Sequence, residues 1–476
     1  MTLALEGAKD TMTTTGLIIA AGAGTRLADE TQVPKPLRKV AGLPLLKRII
    51  LTAAKAGLTK MIVVVGFEKE KITTFITSQK WPLPVECVEN KDWKKSNGLS
   101  VLAAKDVLKE NFVLLMSDHV FDVHTLQKLI KHGLGDAQAR LAVDYKVHQI
   151  FDQDDATKVA TRNDKVVAIG KNLIEYDAID TGMFLLSPAI FDALAEAKKD
   201  GDCSLSDGIR TLAAKGHMGI FDIGDGFWQD VDTPACLKHA ENVLFNACRK
   251  PTDGIVSRNF NRHVSLFISK RLVNTPLTAN QITFIVLLLG LLSGFLASLG
   301  TYTTYLLAAI LFKLTSILDG VDGEISKVKL TSSKFGQWLD TLCDNTTYIV
   351  FLLGTIVGLF RQHYPYSVVL SLFAGVGLLI ALSIVFWHVL KHSNSGSLLA
   401  LQKDFQTRTD LTLLSRIFFK LHFAIKRDFF SVAFLVFALF GKPQWVMLST
   451  AIAMNLTWII ILQQQMTTLS LAKKKT

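Results

Sequence analysis

Four aspartates set between two apolar stretches constrain this 476-residue chain more than any other feature. The run Asp319-Gly-Val-Asp322-Gly323-Glu-Ile-Ser-Lys327 is followed by Phe335-Gly336-Gln-Trp-Leu-Asp340-Thr-Leu-Cys-Asp344. Before it, Tyr305 to Leu318 carry no charge except Lys313, and after it Thr346 to Phe360 carry none. A carboxylate near the bilayer centre costs ~2.5–3.5 kcal/mol, so four together require a cation. Asp319 and Asp322 are spaced i, i+3 and Asp340 and Asp344 i, i+4, so each pair projects from one helix face. Two such faces meeting make an oxygen-rich site suited to Mg²⁺, with Mn²⁺ or Ca²⁺ as alternatives. Gly323 and Gly336 leave room for phosphate oxygens to come close to the backbone.

The composition divides the chain into a soluble half and a membrane half. Apolar residues make up 49%, the mean hydropathy is +0.32, and the apolar residues concentrate after Ile282. Hydrophobic length predicts six spans, at 282–299, 302–319, 336–360, 367–390, 428–441 and 443–463. The loop 391–427 holds Lys391, Lys403, Arg408, Arg416, Lys420, Lys426 and Arg427, and the C-terminus ends in Lys473 to Lys475, whereas the opposite loops are nearly bare. Positive-inside counting therefore puts both termini and the aspartate motif on the cytoplasmic side of the cell membrane. Residues 258–272 are basic and amphipathic, with Phe260, Val264, Phe267 and Ile268 on one face, and predict a helix lying on the membrane surface. The net charge of +11 fits such loops and phosphate-rich substrates. The soluble half has no basic run with interleaved aromatics, so nucleic acid is not an expected partner. Five cysteines without a C-x-x-C pair argue against a disulfide framework or a zinc site and for a reducing cytosol. Met1 to Thr15 lack the apolar core of a signal peptide.

Residues 16–245 alternate apolar runs with amphipathic stretches. Leu17 to Ala20, Met61 to Val65 and Phe112 to Met116 read as buried parallel strands, which predicts a Rossmann-like, doubly wound α/β domain. The expected divisions are 1–250 for this domain, 251–281 for a linker and surface helix, and 282–476 for an all-α, six-helix transmembrane domain. After the first strand comes Ala20-Ala21-Gly22-Ala23-Gly24-Thr25-Arg26-Leu27, then Pro34-Lys35-Pro36-Leu37. A glycine-rich turn leaving a strand presents backbone N–H groups to a polyphosphate, and Arg26 and Lys35 can offset its charge. No Gly-Lys-Ser/Thr follows, so this is not a Walker loop, and the third glycine of a dinucleotide fingerprint is missing.

The aspartate spacing resembles the signature of the CDP-alcohol phosphotransferase family, with Ser326-Lys327 where that family has Ala-Arg. The resemblance implies Asp319, Asp322, Asp340 and Asp344 as metal ligands, Asp344 also as general base, and Gly323, Lys327 and Gly336 as nucleotide contacts. Lys327 keeps the charge but loses the bidentate fork of arginine. Over about 230 residues the soluble half resembles nucleotidyltransferases that activate sugar phosphates. That resemblance implies nucleotide contacts at Ala20, Ala21, Gly22, Gly24, Asn97 and Gly98, catalytic cations at Arg26 and Lys35, and metal ligands at Asp118 and Asp230. It implies acceptor contacts at Lys171 and Asp180. Asp232 stands open between a metal ligand and a cap for the helix that Pro234 opens.

The fusion resembles bifunctional enzymes that join inositol-1-phosphate cytidylyltransferase to di-inositol-phosphate-phosphate synthase. It implies CTP, CDP-alcohol and phosphorylated alcohols as substrates, a lipid bilayer as surroundings, and a homodimer through the membrane half as a candidate assembly. Arg262 and Arg416 are candidate clamps for the acceptor phosphate. Two other readings stand beside it: a phospholipid synthase with its own cytidylyltransferase and a lipid acceptor, and a cation carrier with a regulatory nucleotide domain.

Overall fold

The structure is a computed structural model and describes residues 13–24, 26, 33–392 and 426–473. The chain separates into two compact units, Met1–Ala247 and Cys248–Thr476.

The first unit opens with β1 (Thr15–Ala20), the short hairpin β2 (Lys39–Val40) and β3 (Leu43–Pro44), and α1 (Leu45–Ala56). Then come β4 (Lys60–Val65), α2 (Lys69–Ser78), β5 (Val85–Glu89), α3 (Gly98–Leu102), β6 (Phe112–Met116) and β7 (His119–Phe121). The middle of the unit holds α4 (Val123–His132), β8 (Ala139–Asp144), β9 (Lys158–Arg162), β10 (Lys165–Gly170) and β11 (Ala178–Leu186). It closes with α5 (Ala189–Ala197), α6 (Leu205–Ala214), β12 (Met218–Asp222), β13 (Trp228–Asp230) and α7 (Pro234–Asn246). Nine strands form one sheet in the order β5-β4-β1-β6-β11-β8-β12-β10-β9.

The three apolar runs are the parallel strands β1, β4 and β6, as their sequences predict. Their continuous hydrophobicity has a simple cause: both faces are covered. Leu17, Ile19, Ile62, Val64 and Leu114 pack toward α3, α5 and α6. The alternate residues Ile18, Met61, Val63, Val113 and Leu115 pack toward α1, α2 and α4. The sheet is mixed, since β11 runs antiparallel to β6 and β8. Beside it β7 and β13 pair as a ribbon that sets Asp230 opposite His119, bringing together segments 111 residues apart in the sequence.

The second unit is helical: α8 (Arg262–Leu272), α9 (Ala279–Ser298), α10 (Tyr302–Val328), α11 (Lys334–Arg361), α12 (Ser367–His392), α13 (Arg427–Leu439) and α14 (Pro443–Lys473). Among the described residues three helices, α9, α10 and α11, are long and apolar enough to cross a membrane. The expected spans 302–319 and 336–360 are parts of longer helices, so Asp319 and Asp322 ride on α10 itself and Asp340 and Asp344 on the early turns of α11. Helix α8 turns Ser265, Leu266 and Ser269 inward and leaves Phe260 (in the turn before it) and Phe267 exposed. Lys313, the lone cation of the first apolar stretch, is buried and donates to Asn261 Oδ1 at 2.8 Å, which ties α10 to the segment leading into α8.

Helices α9 and α11 meet through small residues. A Cβ on Gly294 would stand 2.6 Å from the Val350 carbonyl oxygen, and one on Gly354 would stand 2.0 Å from the Gly294 carbonyl oxygen. Such contacts let two backbones approach as closely as membrane helices do. Gly294→Val should therefore destabilise the protein by about 1–3 kcal/mol through overpacking. Gly375→Val, where a Cβ meets nothing within 4 Å, should leave the thermal midpoint in detergent nearly unchanged. Equal midpoints for the two variants would show that this crossing is not tight.

Candidate active sites

The first site forms where the carboxyl-end loops of β1 and β6 meet the ribbon. Asp118, Asp155, Asp180, Asp230, Asp232, Arg26, Lys171 and Asn97 all line one cavity of about 260 Å³. Lys35 starts a 3₁₀ turn behind Pro34. Its ammonium reaches Asp118 Oδ2 at 2.7 Å and also pairs with Asp232. Arg26 donates to Asp155 Oδ2 and to Asp232 Oδ2, each at 2.5 Å. Lys171 donates to Asp155 Oδ1 at 2.7 Å, so Asp155 bridges the glycine-rich loop and the second cation. Carboxylate oxygens of Asp155, Asp230 and Asp232 lie within 4.8 Å of one another.

Charge decides how these groups ionise. Burial opposes ionisation of Asp118, but His119 and Lys35 outweigh it and hold the carboxyl well below the usual range. Burial likewise works against the charged Lys35, and Asp118 and Asp232 raise it above an ordinary lysine. Burial pushes Asp230 up, against the charge of His119. Asp230 accepts from Gln229 at 2.7 Å and takes part in no lysine or arginine pair among the described residues, unlike Asp118, Asp155 and Asp232. A carboxylate so placed beside two others fits an oxygen-preferring divalent cation. Burial also raises Asp180, to about 6, although the Gly182 N–H at 2.8 Å and the charge of His119 favour its ionised form.

The sequence-predicted residues divide by their surroundings. A Cβ on Gly22 would meet nothing within 4 Å among the described residues, and Ala20 and Ala21 are buried just before it. Gly24 is explained differently: it has φ +58°, and a Cβ there would stand 2.6 Å from Cβ of Lys35. Its smallness seats the lysine. Gly98 likewise answers to packing, since a Cβ would lie 2.5 Å from the Cys203 carbonyl oxygen. Asn97 accepts the Leu205 N–H at 2.8 Å while lining the cavity. The helix after Asp232 is capped by Thr233, which accepts the Cys236 N–H, and Asp232 faces Lys35 and Arg26. Asp155, which the sequence did not single out, sits in a run of three acids, Asp152, Asp154 and Asp155. That run was its available signal.

The second site lies where α10 and α11 approach. Carboxylate oxygens of Asp319, Asp340 and Asp344 lie within 4.8 Å of one another. Asp340 Oδ1 is buried with no hydrogen-bond partner among the described residues, and such an oxygen among three acids fits a divalent cation. Asp322 stands apart from that trio: it is buried and accepts the Thr283 hydroxyl and, at 2.5 Å, the Gly323 N–H. Asp322 and Asp340 line a cavity of about 400 Å³ together with Gly323, Lys327, Gly336 and Lys250. A Cβ on Gly323 would meet nothing within 4 Å, so the backbone there is open to a ligand. Arg427, at the start of α13, reaches into the trio and pairs with Asp319 and Asp344. Its sequence signal was a charge beside Asp428 at the edge of a predicted span.

Arg262, an expected clamp for the acceptor phosphate, has its guanidinium paired with both oxygens of Asp253 and with Glu324, all at 2.9 Å. Glu324 is 1% exposed and also accepts the Ser265 and Ser269 hydroxyls at 2.6 Å. This network binds α8 to the motif turn of α10. Arg416 lies outside the described residues.

Comparison with known proteins matches two families in succession. Residues 16–216 match the MobA-like NTP transferase domain, and residues 276–463 match CDP-alcohol phosphatidyltransferase. A bifunctional IPC transferase and DIPP synthase of Aquifex aeolicus is 36% identical over 345 residues, 72% of this chain and 76% of the relative. Its counterpart in Thermococcus kodakarensis is 37% identical over 332 residues, 69% of this chain and 72% of the relative. Among solved structures, the inositol-1-phosphate CTP transferase from T. maritima is 25% identical with a TM-score of 0.44, covering 48% of this chain and 94% of that one.

The raised Asp180 carboxyl makes a pH prediction. Its folded value of about 6 exceeds the unfolded ~3.9, so the folded state holds the proton more tightly and stability falls as pH rises from about 4 to about 6. Asp180→Asn should therefore stabilise the protein at pH 7 by on the order of 1–2 kcal/mol, with the gain vanishing near pH 4. Thermal midpoints at the two pH values check this, and a gain independent of pH would contradict it.

Proposed function

Since the chain belongs to the family of bifunctional IPC transferases and DIPP synthases, we propose that its two sites act in sequence on one alcohol. The first joins CTP and inositol 1-phosphate into CDP-inositol and pyrophosphate. The second transfers phospho-inositol from CDP-inositol to a second inositol 1-phosphate, giving di-inositol-phosphate-phosphate and CMP. The observation that carries the reading is that one chain holds two separate acid-and-base sites, each beside a cavity with an open glycine backbone or a basic loop.

In the first reaction an oxygen of the alcohol phosphate attacks the α-phosphorus of CTP, and pyrophosphate leaves. Arg26 and Lys35 exchange their carboxylate partners for triphosphate oxygens, and Lys171 exchanges Asp155 for the alcohol phosphate. Asp180, ionised above about pH 6, accepts hydroxyls of the inositol ring. Asn97 and Gly22 face the nucleotide. In the second reaction Gly323, Gly336 and Lys327 hold the CDP phosphates, and Asp344 takes the acceptor's proton. Divalent cations, Mg²⁺ being the proposed ion, would be held by Asp118 and Asp230 in the first site and by Asp319, Asp322, Asp340 and Asp344 in the second, where they offset phosphate charge.

Six spans with both termini cytoplasmic remain the proposed topology, with α12, α13 and α14 as the three beyond those long and apolar enough by composition. Exposed Phe284, Leu288, Phe295 and Leu353 support contact with lipid. The proposed domain limits are 1–250 and 282–476, with the surface helix between.

Incubating the protein with CTP, Mg²⁺ and inositol 1-phosphate in plain detergent should give pyrophosphate, CMP and a water-soluble phosphodiester that still bears a phosphomonoester. Asp118→Ala should lower pyrophosphate release by about 10²–10⁴-fold, the range expected for losing a group that acts in the transition state, while CMP release from supplied CDP-inositol persists. Product that forms only after lipid is added, and partitions into the organic phase, would make this a phospholipid synthase.

A further inference from the structure

Asn97 stands in the cap position before α3, yet its side chain makes no capping hydrogen bond to that helix. An asparagine so placed ordinarily accepts from the helix's first free N–H groups. Its Oδ1 accepts the Leu205 N–H instead, 108 positions away, at 2.8 Å. Both neighbours of Asn97 are seated on the same segment. Ser96 donates its N–H to Asp202 Oδ1 at 2.9 Å and its hydroxyl to Asp202 Oδ2 at 3.0 Å, and Gly98 lies against the Cys203 backbone. Residues 96, 97 and 98 are therefore each held by residues 202–205. The tie also decides what Asn97 offers a ligand. A backbone N–H only donates, so the end of the amide turned to Leu205 is the oxygen and the other end is the NH2. That NH2 has no hydrogen-bond partner among the described residues, and Asn97 lines the cavity of the first site.

We infer that residues 202–205 set the base preference of the first site: they occupy the Asn97 oxygen, so the amide left facing the cavity can only donate, and it donates to ring N3 of the pyrimidine. The inference rests on the reading of Asn97 as a nucleotide contact. Cytosine N3 is an acceptor and matches that donor. Uracil N3 carries a hydrogen, so with UTP two donors meet and the amide is left unpaired. An amide free to turn would swap its ends and serve either base. Selection thus comes from the clash with the wrong base as well as from the bond to the right one. Asn97 determines the specificity, and Asp202 and the Leu205 N–H are the groups that position it.

The test follows pyrophosphate release by the full-length protein in detergent with Mg²⁺, inositol 1-phosphate and one of CTP, UTP or 3-deaza-CTP, in which a C–H replaces N3. Wild-type protein should use 3-deaza-CTP with a kcat/KM about 10–10²-fold below that for CTP, the cost of leaving a covered donor unpaired. In Asn97→Asp one oxygen still accepts the Leu205 N–H while an acceptor takes the place of the donor. The ratio of kcat/KM for CTP to that for UTP should then fall by about 10²-fold, and the ratio cancels the general effect of the added negative charge on triphosphate binding. Proline suits the first position of a helix, and Ser204 already has the extended backbone (φ −85°, ψ 161°) that a residue before proline adopts. Leu205→Pro therefore removes the N–H while the Ser204–Asp207 cap can persist, and it should lower the preference by about 10-fold by improving the use of UTP. Asp202→Ala should raise KM for CTP with little change in kcat and lower the same preference, and Asp202→Asn should recover most of both. Equal use of 3-deaza-CTP and CTP by wild-type protein would overturn the inference, whether or not any variant folds, and so would an Asn97→Asp protein whose preference is intact. Wild-type protein that releases no pyrophosphate from CTP removes the proposed first reaction and the inference with it. Turnover of CTP with 3-deaza-CTP used equally well removes the inference alone.

Discussion

Both sites depend on one constraint: carboxylates gathered in poorly hydrated places must find positive charge. Transfer of an uncompensated carboxylate from water is so costly that the group either pairs or gives up its charge. In the first unit Lys35 and Arg26 divide Asp118, Asp155 and Asp232 between them. In the second, Arg427 serves Asp319 and Asp344. Each set of carboxylates thus has its cations at hand without a ligand. Under the proposed function, binding exchanges one anion for another instead of creating a charge in an apolar setting.

The scaffolds around the sites serve that arrangement in different ways. The sheet of the first unit is buried on both faces, and its strand ends and the β7/β13 ribbon deliver carboxylates from distant segments to one cavity. The second unit has helices instead, so its acids come in turns of the same helix, and α10 and α11, both packed on α9, bring Asp319 to Asp340 and Asp344. Glu324 adds a second layer. Buried beneath the motif turn, it fixes α8 against α10 through Arg262, Ser265 and Ser269, and Gly320 on the same side allows the approach, since a Cβ there would lie 3.1 Å from Ser265 Oγ.

What could be read from the sequence was local. Strand runs, the i, i+4 aspartates and the glycine-rich turn announce themselves because their spacing reflects a period of the backbone. Partners 80 or more positions apart leave no such trace. Nothing in the spacing ties Lys35 to Asp118 or Arg427 to Asp344. Arg262 looked like an open basic residue because its partners Asp253 and Glu324 were invisible as partners. Gly24 and Gly98 entered as expected nucleotide contacts, and the crowding around them, from Lys35 and from the Cys203 backbone, is revealed only by the fold. Asp322 shares a helix face with Asp319, yet it turns to Thr283, a choice set by the neighbouring helix.

The central claim is that two separate carboxylate sites in one chain carry out consecutive reactions. Mixing two inactive variants tests it most directly. Asp118→Ala protein and Asp344→Asn protein, each alone, should fail to turn CTP and inositol 1-phosphate into CMP and the phosphodiester. Mixed in detergent they should restore product, with CDP-inositol accumulating first from the Asp344→Asn protein. Formation of CMP and phosphodiester by either variant alone would contradict the account, because one site would then be sufficient for both reactions.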